Sequence, residues 1–329
     1  MKLLFSLLVT AILCIHSLVG QPVNIQGRPV IEIFTDFHVS LNDTSRHTGF
    51  DQNRTFIGYQ FLPEGNVSAK VIVNIGYPDE LAIGSEPRRY GYFREASMTW
   101  EKNDLTLSMG IVNTQITEFQ QRFWGKRYVA LPFIAENCFG FVADIGLSAD
   151  YQISDKIVAE WRLLNGEGYS NLQMDDNLRT SLAFNITPND NLAFRVFGDI
   201  QRAGDLWQPL FVGFAGYKND LFSAGAEIIY KSNIDLIQGH HVWGMSATGG
   251  INITEKTQVF GRYDILSSVV MPGDVREWNY NDDYSFTVIG AQYIVSKQVK
   301  LALSYQGRYQ SATPGVSSDL VFLNATYKF

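Results

Sequence analysis

Cysteine is scarce in this chain of 329 residues, which contains only Cys14 and Cys138. Cys14 lies in an apolar stretch at the N-terminus that we expect to be removed, so the mature chain would keep one thiol. An internal disulfide and a cluster of cysteine metal ligands are therefore both excluded for the mature protein. A large secreted chain without disulfides needs another source of stability, and an extensive network of backbone hydrogen bonds is the simplest one.

Long apolar runs are also missing once the first residues are set aside. After residue 20 there is no run of about eighteen apolar residues, although 46% of all residues are hydrophobic and 13% are aromatic. This excludes membrane-spanning helices. An excess of basic residues is absent too, since the formal net charge is −7. Binding of nucleic acid requires a basic face, so the sequence excludes nucleic acid as a partner.

No linker rich in Pro, Gly or Ser divides the sequence, and no low-complexity segment marks a boundary. The N-terminus has one Lys, then an apolar run and small residues near Gly20, which is typical of a secretory signal peptide. We therefore predict a signal peptide over residues 1–20 and a single mature domain over residues 21–329.

Alternation of apolar and polar residues is what the chain has in abundance. In its last stretch, Val321, Leu323, Ala325, Tyr327 and Phe329 share one face of a strand, and polar residues occupy the other. The chain ends on an aromatic residue, as the closing strand of a bacterial outer-membrane barrel does. We expect Tyr327 and Phe329 to belong to an assembly and insertion signal.

The same alternation divides the mature chain into about sixteen predicted strands. They are 29–40, 55–62, 67–77, 90–100, 104–114, 140–153, 156–165, 178–187, 190–201, 209–217, 220–231, 240–253, 256–268, 283–295, 297–310 and 319–329. The faces of 209–217 and 283–295 are ambiguous, and fourteen or eighteen strands would also fit. No helix longer than a loop turn is predicted.

The connections between these strands alternate in length. Short polar turns such as 63–66 and 187–190 separate longer irregular stretches, of which 115–138 is the longest. The other long stretches are 41–54, 78–87, 165–177, 202–208, 232–239, 269–282 and 311–318. Turns on one side and loops on the other are typical of an up-and-down barrel in an outer membrane. The predicted fold class is therefore all-β, a transmembrane antiparallel up-and-down β-barrel.

Three short segments carry a resemblance to a known family. They are YFREASMTW at 92–100, LTLSMGI at 105–111 and the closing NATYKF at 324–329. With the signal peptide, the repeated hairpins and the long third loop, they resemble the Gram-negative outer-membrane porins, in particular the phosphate-selective porins and their relatives in the Bacteroidetes. The resemblance covers the whole mature chain and implies a diffusion channel, a homotrimer and a third loop that folds into the barrel. That family attracts phosphate with ladders of basic residues, and this sequence departs from that pattern.

If the apolar face of each strand meets lipid, the polar face meets the lumen, and its charges set the selectivity. The lumen-wall residues predicted in this way are Lys70, Glu95, Asp144, Arg162, Arg179, Arg195, Asp199, Arg262, Lys300 and Arg308. The full inward set also includes Lys231, Lys328, Glu32, Asp36, Asp150, Glu160, Glu227 and Asp264. It therefore has nine bases and nine acids, and this balance predicts a weak charge preference. An alternative is that many of these residues only pair across strands and stiffen the wall.

The loop at 115–138 is the best functional candidate. Because it is long and rich in aromatic residues, we expect it to be ordered by packing on another part of the protein. An inward fold, which the resemblance implies, would make it the pore constriction. Arg122, Lys126 and Arg127 would then face solutes, with Glu118 and Glu136 as counter-charges. The alternative is an external cap packed on neighbouring loops.

Catalysis and metal binding find little support in the sequence. The histidines left after the signal peptide are His38, His47, His240 and His241, and none belongs to a His-Glu-x-x-His motif. No cysteine cluster or calcium-binding loop occurs either. We therefore predict no enzyme activity, no catalytic residues, no metal site and no cofactor.

The sequence thus predicts an outer-membrane porin, a passive diffusion channel for small hydrophilic solutes or ions with weak charge preference. Its expected partners are outer-membrane lipid and lipopolysaccharide, the barrel-assembly machinery and small hydrophilic solutes. One alternative is a closed or non-porin barrel that serves as a surface adhesin, a scaffold or a lipid-modifying enzyme. Another is a soluble secreted β-sandwich.

Overall fold

The structure is a computed structural model that describes residues 26–42, 48–76, 89–312 and 317–329. The predicted signal peptide over 1–20 lies outside these residues. The strands are β1 Gly27–Ser40, β2 Gly49–Glu64, β3 Val67–Gly76, β4 Tyr90–Lys102, β5 Leu105–Asn113, β6 Ala143–Ser154, β7 Ile157–Leu164, β8 Arg179–Ile186, β9 Leu192–Ala203, β10 Leu206–Lys218, β11 Phe222–Ser232, β12 His241–Asn252, β13 Thr257–Ser268, β14 Tyr284–Ile294, β15 Val299–Gln310 and β16 Ser317–Lys328. Each strand overlaps a predicted one, and in most of them alternation gives the strand two faces of different polarity.

The strands β1 to β16 close into one antiparallel barrel in which every strand pairs with its neighbours in sequence. The seam joins β1 to β16, where Ile33 lies opposite Tyr327 and Phe37 lies opposite Leu323. Phe329 extends the seam, since its amide donates to the carbonyl of Ile31 at 2.9 Å. The predicted all-β barrel with an even number of strands is therefore confirmed.

Side chains alternate across the barrel wall. On β15, Leu301 and Leu303 point outward and are 37% and 59% exposed, whereas Ala302 and Ser304 point inward and are each 2% exposed. On β16 the outward set includes Tyr327, and Phe329 beyond the strand end is also exposed. The barrel therefore presents an apolar outer surface of the kind that lipid surrounds.

Short turns and long loops alternate around the barrel, with two departures from the prediction. The sequence predicts an irregular stretch over 202–208, but β9 and β10 are joined by the two residues Gly204 and Asp205. Gly204 has a φ of 58°, which a tight hairpin turn requires. β2 also begins at Gly49, earlier than predicted. The loop predicted at 78–87 lies outside the described residues, as do parts of those at 41–54 and 311–318.

Helical residues occur mainly between β5 and β6, where α1 spans Glu118–Trp124 and α2 spans Phe133–Glu136. A 3₁₀ helix spans Ile234–Leu236 before β12. α1 is longer than the sequence predicts, and it ends at Gly125, whose φ of 69° allows a left-handed cap. Among the described residues, no helix is both long and apolar enough to cross a membrane.

Candidate functional site

The connection between β5 and β6, residues 114–142, lies inside the barrel and is called the inner loop below. Its backbone and side chains bond to the inner faces of distant strands. The Tyr128 hydroxyl donates to Gln292 Oε1 on β14 at 2.8 Å, and Gln306 Nε2 on β15 donates to the Val129 carbonyl at 2.9 Å. Of the two arrangements left open by the sequence, the structure therefore has the inward fold.

The inner loop packs on an apolar part of the inner wall. Ile116, Phe133, Ile134 and Phe139 of the loop form one buried cluster with wall residues from β8 to β14. The wall members of that cluster are Ala183, Phe197, Leu210, Val212, Ile229, Val242, Leu266 and Tyr284. Burial of this apolar area is the main force that holds the loop in place.

This packing explains why the sequence leaves the faces of 209–217 and 283–295 ambiguous. On β10, Trp207 and Phe211 point outward and are exposed, while Leu210 and Val212 point inward and are buried by the loop. Both faces of such a strand are apolar, one toward lipid and one toward the loop, so the alternation disappears from the sequence.

Small residues on the wall make room for the aromatic side chains of the loop. Phe119 and Phe123 lie one turn apart on α1 and contact Phe214 of β10, with ring centroids 5.8 and 5.1 Å away. A Cβ atom at Gly216 would lie only 2.5 Å from the Phe123 ring. Glycine at this position is therefore what lets α1 approach the wall so closely.

Arginines of the wall donate hydrogen bonds to loop carbonyls and also form ion pairs with neighbouring carboxylates of the wall. Arg262 on β13 forms an ion pair with Asp264 at 2.5 Å, and its guanidinium also donates to the Leu131 carbonyl. Arg195 on β9 pairs with Glu160 at 2.8 Å and donates to the carbonyl of Gln115 at 2.8 Å. Because these charges are buried and paired, they anchor the inner loop and present little net charge to the lumen.

All ten predicted lumen-wall residues lie on the inner face, and most belong to ion pairs. Besides the two pairs above, the structure has Lys70–Glu95 at 2.9 Å, Arg162–Asp150 at 2.6 Å, Arg179–Asp199 at 2.6 Å and Arg308–Glu136 at 3.1 Å. Asp144 accepts hydrogen bonds from the backbone amides of Ile145 and Gly166. Lys300 has Lys218 and Lys328 as electrostatic neighbours. The wall is thus mostly a set of neutralised pairs.

Of the five predicted constriction residues, the structure places four where water reaches them. Arg122 on α1 is exposed, and Glu118, Arg127 and Glu136 are half-buried. Glu118 accepts a hydrogen bond from Asn113 Nδ2 at 3.0 Å.

The expectation that Lys126 faces solutes is wrong. Lys126 is 4% exposed. Its ammonium donates to the Trp124 carbonyl at 3.2 Å and lies 5.1 Å from the centroid of the Phe260 ring. Burial, together with the charges of Lys218 and Lys300, lowers the pKa of Lys126 to about 8. The side chain points toward the Phe260 ring on β13 and not into the lumen.

The solved structures similar to this chain include outer-membrane channels. The outer-membrane channel DcaP of Acinetobacter baumannii has a TM-score of 0.68 at 11% identity, covering 94% of this chain and 99% of that one. An anion-selective porin from Comamonas acidovorans has 0.67 at 11%, covering 92% and 99%, and Salmonella typhi OmpF has 0.67 at 10%, covering 93% and 98%. The barrel has the porin fold. No protein-family model and no curated protein matches the sequence.

Two inward arginines of this porin fold escape the sequence analysis, Arg54 because the predicted strand begins only at residue 55, and Arg94 because it lies at a β-bulge. Between β3 and β4, Ile72 pairs with Glu95 and Val73 with Phe93, so Arg94 is the extra residue. Between β1 and β2, Asn53 next to Arg54 is extra in the same way. A bulge shifts the alternation by one residue and re-aims a side chain. The bulge in β4 does leave a signal in the sequence. Two charged residues, Arg94 and Glu95, are adjacent within an otherwise alternating strand.

The histidines of the porin fold lie in aromatic surroundings. His240 stacks on Trp278 with ring centroids 4.3 Å apart, and His241 stacks on Tyr230 at 6.1 Å. His38 Nδ1 lies 2.9 Å from Asp36 Oδ1, and His47 lies outside the described residues. Across the described ranges, no three His, Cys, Asp or Glu side chains are grouped as metal ligands.

Proposed function

We propose that this chain is a porin of a Gram-negative outer membrane and acts as a passive diffusion channel for small hydrophilic solutes. The observation that carries the proposal is the access of water to charged side chains on the inner wall. Lys70 is 32% exposed although it faces inward beside Glu95, and Arg308 is 32% exposed beside Glu136. A barrel of this size is too wide for its wall side chains to fill, so an aqueous path remains beside the loop.

The surroundings of the channel follow from the outer surface. Its apolar side chains contact outer-membrane lipid and lipopolysaccharide, and Tyr327 and Phe329 at the seam act as the signal read by the barrel-assembly machinery. A homotrimer is proposed by analogy, since one similar structure, Vibrio cholerae OmpT at a TM-score of 0.64 and 10% identity, is described as a trimer form. The narrower likeness to the phosphate-selective porins stays a prediction.

The narrowest part of the channel is assigned to the inner loop. Glu118, Arg122, Arg127 and Glu136 are the loop residues proposed to meet the solute, and the predicted wall residues are proposed to line the approach. We also infer that transport involves no catalysis, since His240 and His241 stack on the rings of Trp278 and Tyr230.

Conductance in a planar lipid bilayer tests the proposed function. Folded protein, recognised by a gel mobility that changes on heating, should produce stepwise ion currents, and heat-unfolded protein from the same preparation is the matched control. Folded protein that gives no current steps where a known porin conducts would overturn the proposal and favour a closed barrel.

A further inference from the structure

A cavity of about 420 Å³ opens at the end of the barrel where the short turns lie. Its wall consists of the β6–β7 turn, the β8–β9 turn and the end of β10, and Phe123 of α1 also lines it. The volume falls within the range of sites for small molecules, about 300–1,000 Å³. In the proposed orientation this end faces the periplasm, so the cavity lies at the periplasmic mouth of the channel.

Hydrogen bonds between neighbouring turns make the wall of the cavity rigid. The Thr187 amide donates to the Lys156 carbonyl at 2.8 Å. The Lys218 amide donates to the Asn191 carbonyl at 2.8 Å, and Asn191 Nδ2 donates back to the Lys218 carbonyl at 2.7 Å. Asn189 Oδ1 accepts from the Asn191 amide at 3.0 Å. A wall that is already formed lowers the entropic cost of binding a ligand.

Phe123 gives the cavity a flat aromatic floor. Gly216 and Gly225 lie opposite each other on β10 and β11, and Cβ atoms there would come within 2.5 and 2.9 Å of the Phe123 ring. Ring atoms Cε2, Cζ and Cδ2 face Gly216, and Cε1 and Cδ1 face Gly225. The ring therefore lies flat on the glycine pair, and its opposite face is directed at the cavity.

The charges around the cavity balance. The charged side chains that line it are two acids and two bases, Asp155, Asp190, Lys156 and Lys218, and all four are exposed. A ligand with a net charge would meet side chains of its own sign as well as of the opposite sign. Hydroxyl groups both donate and accept, so they can bond to carboxylates, ammonium groups and side-chain amides alike. The wall therefore suits a neutral ligand with many hydroxyl groups.

We propose that this cavity is a binding subsite for saccharides. A pyranose ring packs on the face of Phe123, and its hydroxyl groups bond to Asp190, Lys218 and the side-chain amides of the wall. The C–H groups on one face of a pyranose match an aromatic ring, while the hydroxyl groups at its edge match the polar wall. The inference rests on the proposed function, since a solute that crosses the channel from outside passes this mouth.

Equilibrium dialysis with radiolabelled maltose tests the subsite on folded protein in detergent and needs no ion current. Maltose should bind saturably, whereas sorbitol, which has hydroxyl groups but no ring, should compete poorly. The variant D190N should raise the dissociation constant for maltose about tenfold, because a charged hydrogen-bond acceptor is lost. The matched control is E255Q, which changes an exposed acid of the β12–β13 turn that does not line the cavity. It should bind maltose like wild type.

The variant F123L tests the aromatic floor. Leucine keeps an apolar side chain over Gly216 but removes the flat ring, so folded F123L should bind maltose about tenfold more weakly. F211L, on the outer face of β10, should bind like wild type.

The inference is overturned if maltose does not bind saturably, if either D190N or F123L binds it like wild type, or if sorbitol competes as well as unlabelled maltose. Conductance distinguishes this failure from that of the proposed function. A folded barrel that conducts but binds no maltose overturns the inference alone, whereas one that gives no current overturns the proposed function.

Discussion

Cys138 is the residue that best reports where the inner loop lies. It is exposed, it follows α2, and it is the single thiol expected in the mature chain. Because the loop lies inside the barrel, a charged thiosulfonate reagent attached to this thiol should narrow the path. Single-channel conductance should fall by about a third, as measured before and after labelling.

The variant C138S is the control for that labelling, and its conductance should not respond to the reagent. If mass spectrometry shows complete labelling of wild-type protein and the conductance stays constant, Cys138 does not adjoin the solute path.

Lys126 predicts a pH dependence of stability. Its pKa is lowered from the ordinary value of 10.5 to about 8, so between these two values the unfolded chain binds more protons at this residue than the folded one. The free energy of unfolding should therefore rise with pH over that window, by up to about 3 kcal/mol. Below about pH 8 both states carry the proton, and the cost of burying the charge is fully present.

The variant K126M isolates this contribution from that of other titrating groups. It should be more stable than wild type at pH 7, and the advantage should shrink toward pH 10 when both are unfolded thermally in detergent. A stability difference that is independent of pH would contradict the assignment to Lys126.

At the scale of elements, the inner loop is held by apolar packing more than by charge. Phe133 is 2% exposed and fills the space over Gly244, where a Cβ would lie 2.5 Å from its ring. The variant F133A should loosen the loop by about 3–5 kcal/mol. We expect the barrel to remain folded while the open-channel current becomes larger and noisier.

F211A is the matched control for F133A, because Phe211 lies on the outer face of β10 and is 58% exposed. Its channels should conduct like wild type. Quiet, unchanged currents from folded F133A would show that the cluster around Phe133 does not set the width of the channel.

The elements also show what alternation can and cannot predict. Strands such as β15 and β16, with one polar and one apolar face, are evident from sequence because the period of two survives in them. β10 and β14 are ambiguous because the inner loop supplies an apolar partner on the inside. The bulges at Asn53 and Arg94 break the period of two locally. Alternation therefore does not assign the neighbouring side chains to the correct face of the wall.

For the whole molecule, closure of the barrel depends on the last residues of the chain. The Phe329 amide donates to the Ile31 carbonyl at 2.9 Å, and Lys328 lies opposite Glu32 in the seam. Removing Lys328 and Phe329 should lower the yield of heat-modifiable, folded protein several-fold, because the seam loses its first pairs and the insertion signal is lost. Channels that still form should keep the reversal potential of the full-length protein, and a changed ion preference would show that these residues belong to the pore.

The sequence by itself determined the strands, an even count of about sixteen, the two-sided wall and the closing seam, because these follow from a period of two and from turn lengths, which are local properties. Only the tertiary structure decided how the loop and the charges are arranged. The loop is fixed by partners far along the chain, such as Tyr128 and Gln292, which are 164 positions apart. Whether an arginine is neutralised also depends on which side chains the bulged strand and the folded loop bring together. Only the folded barrel therefore distinguishes Arg94, which has no carboxylate within ion-pair distance among the described residues, from the five paired arginines.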